Sequence, residues 1–391
     1  MKILVLNAGS SSIKFSLFEN TERVATGLVE QIGESAGHFE LHAKGNEQTK
    51  VTPPLDHKEA MQWVLNGLCD PETGVLKHPE ELDIVGHRVV HGGESFTEPA
   101  LITTSVLAAI NGCIPLAPLH NPANVLGIEV AQEVFPQARQ VAVFDTAFHQ
   151  TLPPKAYHYA LAPTYYEDHK IRRYGFHGTS HQYVAIQAAK HLQRPLKELK
   201  LITLHLGNGA SMAAIDQGYS VDTTMGFTPL EGLVMGSRSG DLDPAIPLYL
   251  INRLGKSAGE VDQLLNKDSG FKGLTGTNDL REIQSQAAAG NKQADLALEI
   301  AAYRIQKYIG AYLAILGGLD ALVFTAGVGE HAAELRSKIT QKLEHLGIKL
   351  DTKANANHQQ EIQAPEGQVK LLVIPTNEEL QIAQECLSLL G

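Results

Sequence analysis

Residues 4–11 read LVLNAGSS, and residues 204–211 read LHLGNGAS. In each stretch an apolar strand meets a turn of small residues before a second strand begins, which predicts a β-hairpin. A single strand–glycine–strand match is common in proteins. Two of them in corresponding halves, 200 residues apart, indicate an internal duplication into two lobes that face each other across a cleft.

The first turn has the composition of a phosphate-binding loop. Residues 7–15 read NAGSSSIKF, where small residues let backbone N–H groups approach a phosphate, and three hydroxyls and a lysine add donors. Because side chains alternate along a strand, Lys14 lies on the same face as Ser12 and Ser16. The ordinary alternative is a plain hairpin with a solvated lysine, and the repeat at residues 207–209 favours a functional turn.

The composition is that of a globular protein without a nucleic-acid or membrane partner. The chain has 391 residues, 43% of them apolar, which suits two domains or one large one. Its net charge of −11 offers no basic surface to nucleic acid or to an anionic membrane. Three widely spaced cysteines are typical of free thiols in a reducing cytosol, so we expect a cytoplasmic protein. The apolar segment Tyr308–Phe324 is interrupted by glycines and Asp320, which predicts a helix running into a strand and not a membrane span.

Strands and helices alternate along the chain, which predicts a mixed α/β fold. The segment Thr151–Tyr166, rich in Pro and Tyr, is the predicted domain boundary. Predicted helices are Lys58–Leu68, a helix to Val134 with Asn121 as N-cap, a helix to His191 capped by Thr179 or Ser180, Asp295–Leu316 and Ala332–Leu346. Besides the two hairpins, predicted strands are Asp83–Val90, Gln140–Phe144, Ala321–Thr325 and Lys370–Ile374, with further strands and turns within Thr21–Pro54.

Two arginines and one aspartate are candidates for handling an anion. Arg88 ends a buried-looking strand in GHRVVHGG, and Arg238 lies in the small-residue loop MGSRSGDLD. A guanidinium can hold carboxylate or phosphate at two points, although each arginine could also form a surface salt bridge. Asp145 follows a strand, where it could serve as a catalytic or metal-associated acid or as a helix cap.

Three further segments are candidates for the site. His177 and His181 in HGTSH have the spacing of a zinc pair, but no glutamate follows, which favours His177 as an active-site donor. Residues 320–331 form an apolar strand, a glycine turn and a helix start, a usual nucleotide position in α/β sheets. Glu378 opens the last helix, where an acidic residue is ordinarily a partner of the helix dipole.

Taken together, these segments resemble the acetate kinase family, within the acetate and sugar kinase/Hsp70/actin superfamily. The matching segments are NAGSSSIKF, GHRVVHGG, PLHNP, FDTAFH, YGFHGTSH, HLGNGAS, GFTPLEGLVMGSRSGDLDP, NDLR, FTAGVGEH and IPTNEE. They run in order over residues 7–379. The resemblance implies two actin-like (ribonuclease H-like) lobes of mixed sheets flanked by helices, with a cleft between them. The implied lobes are residues 1–148 with a C-terminal helix 380–391 packing back on them, and residues 149–379.

The resemblance also implies a role for each matching residue. Asp145, His177 and Arg238 would be catalytic, and Asn7 and Glu378 would hold Mg²⁺ or Mn²⁺. Arg88 would bind the carboxylate, beside an acyl pocket of Val90, Leu119, Phe176 and Pro229. The implied nucleotide-binding residues are Ser10, Ser11, Ser12, Lys14, His205, Leu206, Gly207, Asn208, Gly209, Asp279, Leu280, Arg281, Gly327, Val328, Gly329, Glu330 and His331.

The implied reaction is reversible in-line transfer of the ATP γ-phosphoryl group to acetate, giving acetyl phosphate and ADP, in a protein that forms a homodimer. A propionate or other short-chain acyl kinase is the nearest alternative, because one methylene in an apolar pocket is worth only about 1–3 kcal/mol. The alternative from another class is an actin-like or Hsp70-like nucleotide switch without a small acceptor. Arg88, Arg238 and their glycine-rich loops argue against a switch.

Overall fold

The computed structural model of the chain describes residues 1–53 and 55–391. Pro54, the last residue of the predicted strand-and-turn segment 21–54, lies outside the described residues. The chain divides into two compact units, residues 1–150 with 377–391 and residues 151–376. Each unit has its own sheet.

The thirteen strands form two mixed sheets. The first sheet has the order β5-β4-β3-β2-β1-β6-β8-β7 and the second the order β11-β10-β9-β12-β13. The strands are β1 (Lys2–Ala8), β2 (Ser12–Glu19), β3 (Glu22–Glu30), β4 (Gly37–Ala43), β5 (Asn46–Thr52), β6 (Ile84–Val89), β7 (Ala100–Leu101), β8 (Arg139–Phe144), β9 (Lys200–Leu206), β10 (Ala210–Asp216), β11 (Tyr219–Thr223), β12 (Ala321–Thr325) and β13 (Lys370–Val373).

Helices flank both sheets. The α-helices are α1 (His57–Leu68), α2 (Thr104–Gly112), α3 (Asn121–Val134), α4 (Pro154–Tyr157), α5 (Pro163–His169), α6 (Gly178–Leu192), α7 (Ala245–Asn252), α8 (Ala258–Lys267), α9 (Gly270–Thr275), α10 (Leu280–Ala288), α11 (Lys292–Leu316), α12 (Ala326–His331), α13 (Ala333–Thr340), α14 (Thr352–Ala356) and α15 (Glu378–Leu390). Short 3₁₀ helices occur at Pro79–Glu81, Ile114–Leu116, Ala147–Thr151, Leu196–Glu198 and Glu344–Leu346. Among the described residues, no helix is both long and apolar enough to cross a membrane.

The two predicted hairpins are confirmed and start the same strand order in each sheet. In the first sheet β1 pairs antiparallel with β2 and parallel with β6. In the second sheet β9 pairs antiparallel with β10 and parallel with β12. The order β3-β2-β1-β6-β8 therefore matches β11-β10-β9-β12-β13 strand for strand. Because parallel strands end at the same edge, each unit presents its hairpin turn beside the carboxyl ends of two further strands.

Both faces of the first sheet are buried by helices. Alternate side chains of β1 point to opposite sides, so that Leu4 and Leu6 join a core with α1, while Ile3 and Val5 join a core with α15. The last helix thus packs on the first sheet although it comes from the far end of the chain. This packing places Glu378, at the start of α15, in the first unit.

Three predicted helix boundaries are wrong. Helix α3 includes Asn121, and its N-cap is His120. Helix α6 is preceded by His177 in the left-handed conformation, with φ of 57°, so Thr179 and Ser180 lie inside the helix. Helix α13 stops at Thr340, whose hydroxyl bonds the carbonyls of Arg336 and Ser337 in its own last turn and competes with further helix formation.

The predicted glycine turn after β12 is also absent. Helix α12 begins directly at Ala326, which adopts φ of 62°. A left-handed alanine is strained, and such strain persists only where the surrounding structure enforces it. The junction between β12 and α12 is therefore a sharp corner made by an ordinary residue.

Candidate active site

Three charged side chains of the first unit meet where β6 and β8 end. Asp145 accepts hydrogen bonds from Arg88 Nε at 3.0 Å and from Arg88 Nη2 at 2.6 Å. These residues are neighbours because β6 and β8 run parallel, with Arg88 opposite Val143. Glu378 lies 3.7 Å from Arg88 Nε. Two carboxylates therefore share one guanidinium in this cluster, which we call the carboxylate cluster.

The carboxylate cluster carries unbalanced negative charge. Burial lowers the pKa of Arg88, but the charges of Asp145 and Glu378 outweigh burial and raise it above its ordinary value. Burial raises the pKa of Glu378 to about 7; Arg88 opposes this rise and the charge of Asp145 adds to it. Glu378 thus holds a proton more readily than an ordinary carboxyl group, as expected for a carboxyl group that is removed from water and lies near a second carboxylate.

The turn of the first hairpin lies open beside this cluster within the same unit. Gly9 closes the turn by donating its N–H to the carbonyl of Ser12 at 2.8 Å. Ser10 and Ser11 are exposed, and Lys14 is exposed on β2, directly opposite Asn7 on β1. The structure therefore leaves the predicted phosphate donors Ser10–Ser12 and Lys14 accessible.

Two buried asparagines of α3 hold the loop after Arg88. Asn121 accepts from His91 N at 3.1 Å and donates to His91 O at 3.0 Å. Asn124 accepts from Val90 N at 3.0 Å and donates to Ala8 O at 2.9 Å. The sequence motif HNP marked Asn121 only as a helix cap, and nothing local in the sequence indicated Asn124. Both asparagines fix the backbone around Val90, because a buried amide needs partners for its donors and its acceptor.

The four predicted acyl-pocket residues are divided between the units. Val90 is half-buried and Leu119 is 52% exposed, and both belong to the first unit. Phe176 is buried, and Pro229 is half-buried; both belong to the second unit. The sequence predicted these residues as one pocket, and each unit supplies two of them.

In the second unit His177 is held by hydroxyl groups. His177 Nδ1 shares a hydrogen bond with Ser211 Oγ at 2.9 Å, and His181 Nε2 shares one with the same oxygen at 2.7 Å. His181 Nδ1 is 2.7 Å from Thr203 Oγ1. The His177 ring also stacks on His205 with centroids 4.2 Å apart. Ser211 and Thr203, which no motif marked as functional, thus orient the predicted catalytic histidine.

Arg238 lies beside His177 at the second hairpin turn. A Cβ added to Gly209 would lie 2.7 Å from Arg238 Nη2 and 3.3 Å from His177 Nε2, so the glycine allows both side chains to approach the turn. Arg238 Nη1 donates to Pro229 O at 2.5 Å. Burial lowers the pKa of Arg238, and no carboxylate of the described residues offsets it. A half-buried guanidinium without an acidic partner is well suited to bind an anion.

A cavity of about 430 Å³ opens beside the same turn. This volume is within the usual range for a small-molecule site. Among the predicted nucleotide-binding residues, those that line it are Leu206, Gly207, Asn208, Asp279, Leu280, Arg281, Gly327, Val328 and His331. Its apolar walls include Val234, Phe271 and Ile305, to which the sequence analysis assigned no role. An apolar slot with backbone amides at one end fits a nucleotide base and its phosphates.

Asp279 and Arg281 form an exposed pair at the rim of this cavity. Asp279 caps α10 by accepting from Arg281 N at 2.9 Å, and it also accepts from Arg281 Nη2 at 2.7 Å. The side-chain hydrogen bond from Arg281 lowers the pKa of Asp279 to about 2. Arg281 is 90% exposed, so it is free to turn toward a bound molecule.

Arg336 holds the last turn of α12, and the sequence motifs did not mark it. It is fully buried and donates through Nη1 to the carbonyls of Gly329 and Glu330, both at 2.8 Å. Its Nε donates to Asn355 Oδ1 at 2.7 Å. Burial lowers the pKa of Arg336 to about 10. An arginine in an otherwise ordinary helix sequence carries no local signal of this role.

The chain is similar to acetate kinases over its full length. The family described as the acetokinase family matches residues 2–384. The acetate kinase of Halothermothrix orenii is 54% identical over 98% of this chain and 98% of its own length. The crystal structure of Porphyromonas gingivalis acetate kinase is 44% identical, covers 100% of both chains and has a TM-score of 0.94. A propionate kinase from Francisella tularensis is also 44% identical, with a TM-score of 0.94 over 98% of each chain.

Proposed function

The chain belongs to the acetokinase family, and from this premise we propose how its residues transfer the γ-phosphoryl group of ATP to acetate. The activity is that of a phosphotransferase with a carboxyl group as acceptor. The fold is the predicted one, with two mixed sheets flanked by helices and close similarity to acetate kinase structures. We further propose that the two compact units are the two actin-like lobes, with limits near those predicted.

The observation that carries the assignment is the position of Gly209. Its neighbours Gly207 and Asn208 line the nucleotide-sized cavity, while its own Cα faces Arg238 and His177. A nucleotide whose base occupies the cavity would therefore bring its phosphates to an uncompensated arginine and an oriented histidine. Apolar walls and phosphate donors at one turn are the features that an ATP-dependent phosphotransferase requires.

In the first unit Arg88 would bind acetate. Its Nε and Nη2 are taken by Asp145, but Nη1 makes no hydrogen bond among the described residues and the side chain is 21% exposed. Acetate would accept from this remaining edge, and Val90, beside Arg88 on the chain, would contact its methyl group. Asp145 fixes the orientation of the guanidinium, since a bidentate pair leaves only one direction for the third nitrogen.

Asp145 would act by orientation and not as a base. Acetate is already ionised at neutral pH, so no proton has to be removed before it attacks phosphorus. In the loose transition state of phosphoryl transfer, negative charge spreads over the equatorial oxygens. His177 and Arg238 would stabilise this charge, and their preorganised positions avoid reorganisation during the reaction.

The carboxylate cluster fits a divalent cation such as Mg²⁺ or Mn²⁺. Glu378, Asp145 and Asn7 offer the hard oxygen ligands that Mg²⁺ prefers. Burial and the charge of Asp145 raise the pKa of Glu378, and a bound cation would lower it again. We propose that Asn7 and Glu378 hold the cation; when bound, it would neutralise phosphate charge and help to align the phosphates.

A hydroxylamine trap for acyl phosphate tests the function directly. The protein is incubated with ATP, Mg²⁺ and a series of carboxylates, and we expect hydroxamate formation that requires both acetate and ATP. ATP hydrolysis that is independent of acetate and forms no acyl phosphate would instead indicate a nucleotide switch.

Propionate is the second candidate acceptor because a propionate kinase has the same identity and TM-score as an acetate kinase. The half-buried Val90 favours the smaller acid. We expect a higher kcat/KM for acetate than for propionate, and a Val90→Ala variant should narrow the difference by up to about tenfold. An equal preference in the native protein would contradict the role of Val90.

We also propose a cytoplasmic homodimer. Helix α7 buries none of its residues, and Leu248, Tyr249 and the nearby Leu254 are each 58–60% exposed. These exposed apolar side chains would supply the core of an interface with a second copy. Sedimentation equilibrium should give a dimer, and Leu248→Asp should dissociate it; a native monomer would exclude this interface.

A further inference from the structure

The loop that carries Arg238 is fastened near both ends by ionised side chains that the mechanism above does not use. We call residues Gly226–Asp241 the arginine loop. It contains both Pro229 and Arg238, which hydrogen-bond to each other across the loop. Small-residue loops of this kind are mobile unless other groups hold them. The contacts at its ends therefore decide where the Arg238 guanidinium lies.

Glu231 holds the first part of the arginine loop. Its Oε1 accepts from Arg173 Nη2 at 2.5 Å, and its Oε2 accepts from the hydroxyl of Tyr159. The Tyr159 oxygen in turn accepts from Phe227 N at 2.9 Å. Arg173 Nη1 reaches the chain just before the loop, donating to the carbonyls of Thr223, Thr224 and Met225 at 3.0–3.1 Å.

We call these contacts of Glu231 the first anchor, and its groups leave no space for a side chain at Gly226. A Cβ at residue 226 would lie 1.8 Å from Glu231 Oε2 and 2.3 Å from the Tyr159 hydroxyl, so only glycine fits. Burial and the charge of Glu231 raise the pKa of Tyr159, which keeps its hydroxyl a donor at physiological pH. The anchor therefore keeps the same hydrogen bonds over the working pH range.

Asp241 holds the other end. Its Oδ1 accepts from Gly232 N at 2.8 Å, and its Oδ2 accepts from the hydroxyl of Tyr308 at 2.8 Å. Arg304 Nη1 lies 3.4 Å from Asp241 Oδ2 and donates to the carbonyls of Gly232 and Asp241 at 3.0 and 3.1 Å. This second anchor closes residues 232–241 into a narrow loop with Arg238 near its tip.

Inside the arginine loop, the Arg238 side chain hydrogen-bonds only to backbone among the described residues. Its guanidinium donates to Pro229 O, and Gly236 N donates to Asn208 O at 2.9 Å. No carboxylate among the described residues offsets the lowering of the pKa of Arg238 by burial. The charge of Arg238 thus stays available, while the charges of Arg173 and Arg304 are each matched by an acid that fixes the loop.

We propose that Glu231 and Asp241 are positioning residues that set the place of Arg238 and Pro229 for phosphoryl transfer. They act through the loop and touch no substrate. The inference rests on the proposed role of Arg238. Because misplacing a catalytic group by about 1 Å can cost 10²-fold in rate, loosening either anchor should lower kcat far more than it changes the KM for ATP.

A double-mutant cycle with Glu231→Gln and Arg238→Ala tests the proposal. Glu231→Gln alone should lower kcat by about 10–100-fold, with less than about a threefold change in the KM for ATP. In the Arg238→Ala background the same substitution should cause no further loss, because groups that act as a unit are not additive. Tyr159→Phe and Tyr308→Phe, which leave every charge in place, should lower kcat in the same direction by smaller factors.

The variants separate failure of the inference from failure of the proposed function. If Arg238→Ala keeps native kcat, the role of Arg238 is wrong. A second outcome is that Arg238→Ala lowers kcat and the double variant loses the product of the two single losses. In that case, or if Tyr159→Phe and Tyr308→Phe keep native kcat, the anchors do not act through Arg238. Glu133→Gln, the same change of side chain, breaks an ion pair with Lys58, 2.6 Å apart and in the first unit, and should keep kcat. If Glu231→Gln does not fold, Tyr159→Phe and Tyr308→Phe still test the proposal, because each removes only one hydroxyl group.

Discussion

The carboxylate cluster of the first unit and the arginine loop of the second are built on the same order of five strands but balance charge in opposite ways. In the first unit two carboxylates share Arg88. In the second unit Arg238 has no acidic partner among the described residues, and the acids lie at the ends of its loop. The two units therefore differ in charge balance: carboxylates outnumber the arginine in the carboxylate cluster, and the arginine loop holds its acids away from Arg238.

The two arginines differ in their acidic partners, which predicts different roles in the reaction. Arg88 is already paired with Asp145 and lies near Glu378, so it suits an acceptor that keeps one charge throughout the reaction. Arg238 is half-buried and has no acidic partner among the described residues, so its interaction should grow as charge develops on the transferring group. The comparison predicts that substitutions in the two units affect different kinetic constants.

The largest expected effect is that of Arg238→Ala. We expect kcat to fall by about 10³-fold or more, because an arginine that stabilises phosphoryl-transfer charge can contribute 10³–10⁵-fold. The KM for acetate should change little. Steady-state kinetics measures both, with Arg194→Ala, which removes a surface pair with Asp320, as a control of native rate. A similar loss of kcat in Arg238→Ala and Arg194→Ala would show that the effect does not depend on the site of the substitution.

Arg88→Ala should mainly raise the KM for acetate, by about 10–100-fold, because a charge-assisted hydrogen bond contributes about 1.5–3 kcal/mol. The control is Arg88→Lys, which keeps the positive charge near Asp145 but lacks the planar guanidinium that holds a carboxylate at two points. Relative to Arg88→Ala, the lysine variant should restore the stability of the protein more fully than it restores the affinity for acetate. A fall in kcat as large as that of Arg238→Ala, with an unchanged KM for acetate, would contradict the division between the units.

Gly209→Ala should lower kcat by about tenfold or more, because its Cβ would meet Arg238 Nη2 at 2.7 Å and push the guanidinium away. Gly327→Ala is the matched control: Gly327 lines the same cavity, but a Cβ there meets no atom within 4 Å. Kinetics of the two variants should differ in kcat. Equal losses would mean that the space around Arg238 does not matter.

The smallest effect concerns stability and pH. Glu378 has a pKa of about 7 in the folded protein against an ordinary value of 4.5, so its stabilising contribution is full below pH 4.5 and is lost as the pH rises through about 7. Without substrates, the Tm of Glu378→Gln relative to the native protein should therefore rise between about pH 5 and pH 8. Added Mg²⁺ should stabilise the native protein at about pH 8 more than the variant. A Tm difference that is independent of pH would exclude the shifted pKa.

The sequence predicted most of what depends on local pattern. The two hairpins follow from apolar alternation around turns of small residues, and the long helix ending at Leu316 follows from its periodicity. The residue motifs led to the family and to the reaction. Cap positions were less predictable: Ser180 looks like a helix cap, but its hydroxyl is used by His205 and Thr376 instead.

The manner in which the motif residues are held, and the balance of their charges, follow from the folded chain. The sequence predicted the mixed α/β class, the duplicated strand–turn–strand units and the candidate site residues, because these depend on neighbours along the chain. It could not show that Asn124 holds Val90, that Arg336 binds Asn355, or that Glu231 anchors the arginine loop. Those contacts join residues distant in sequence, and burial and charge arise only when such residues meet in the folded chain.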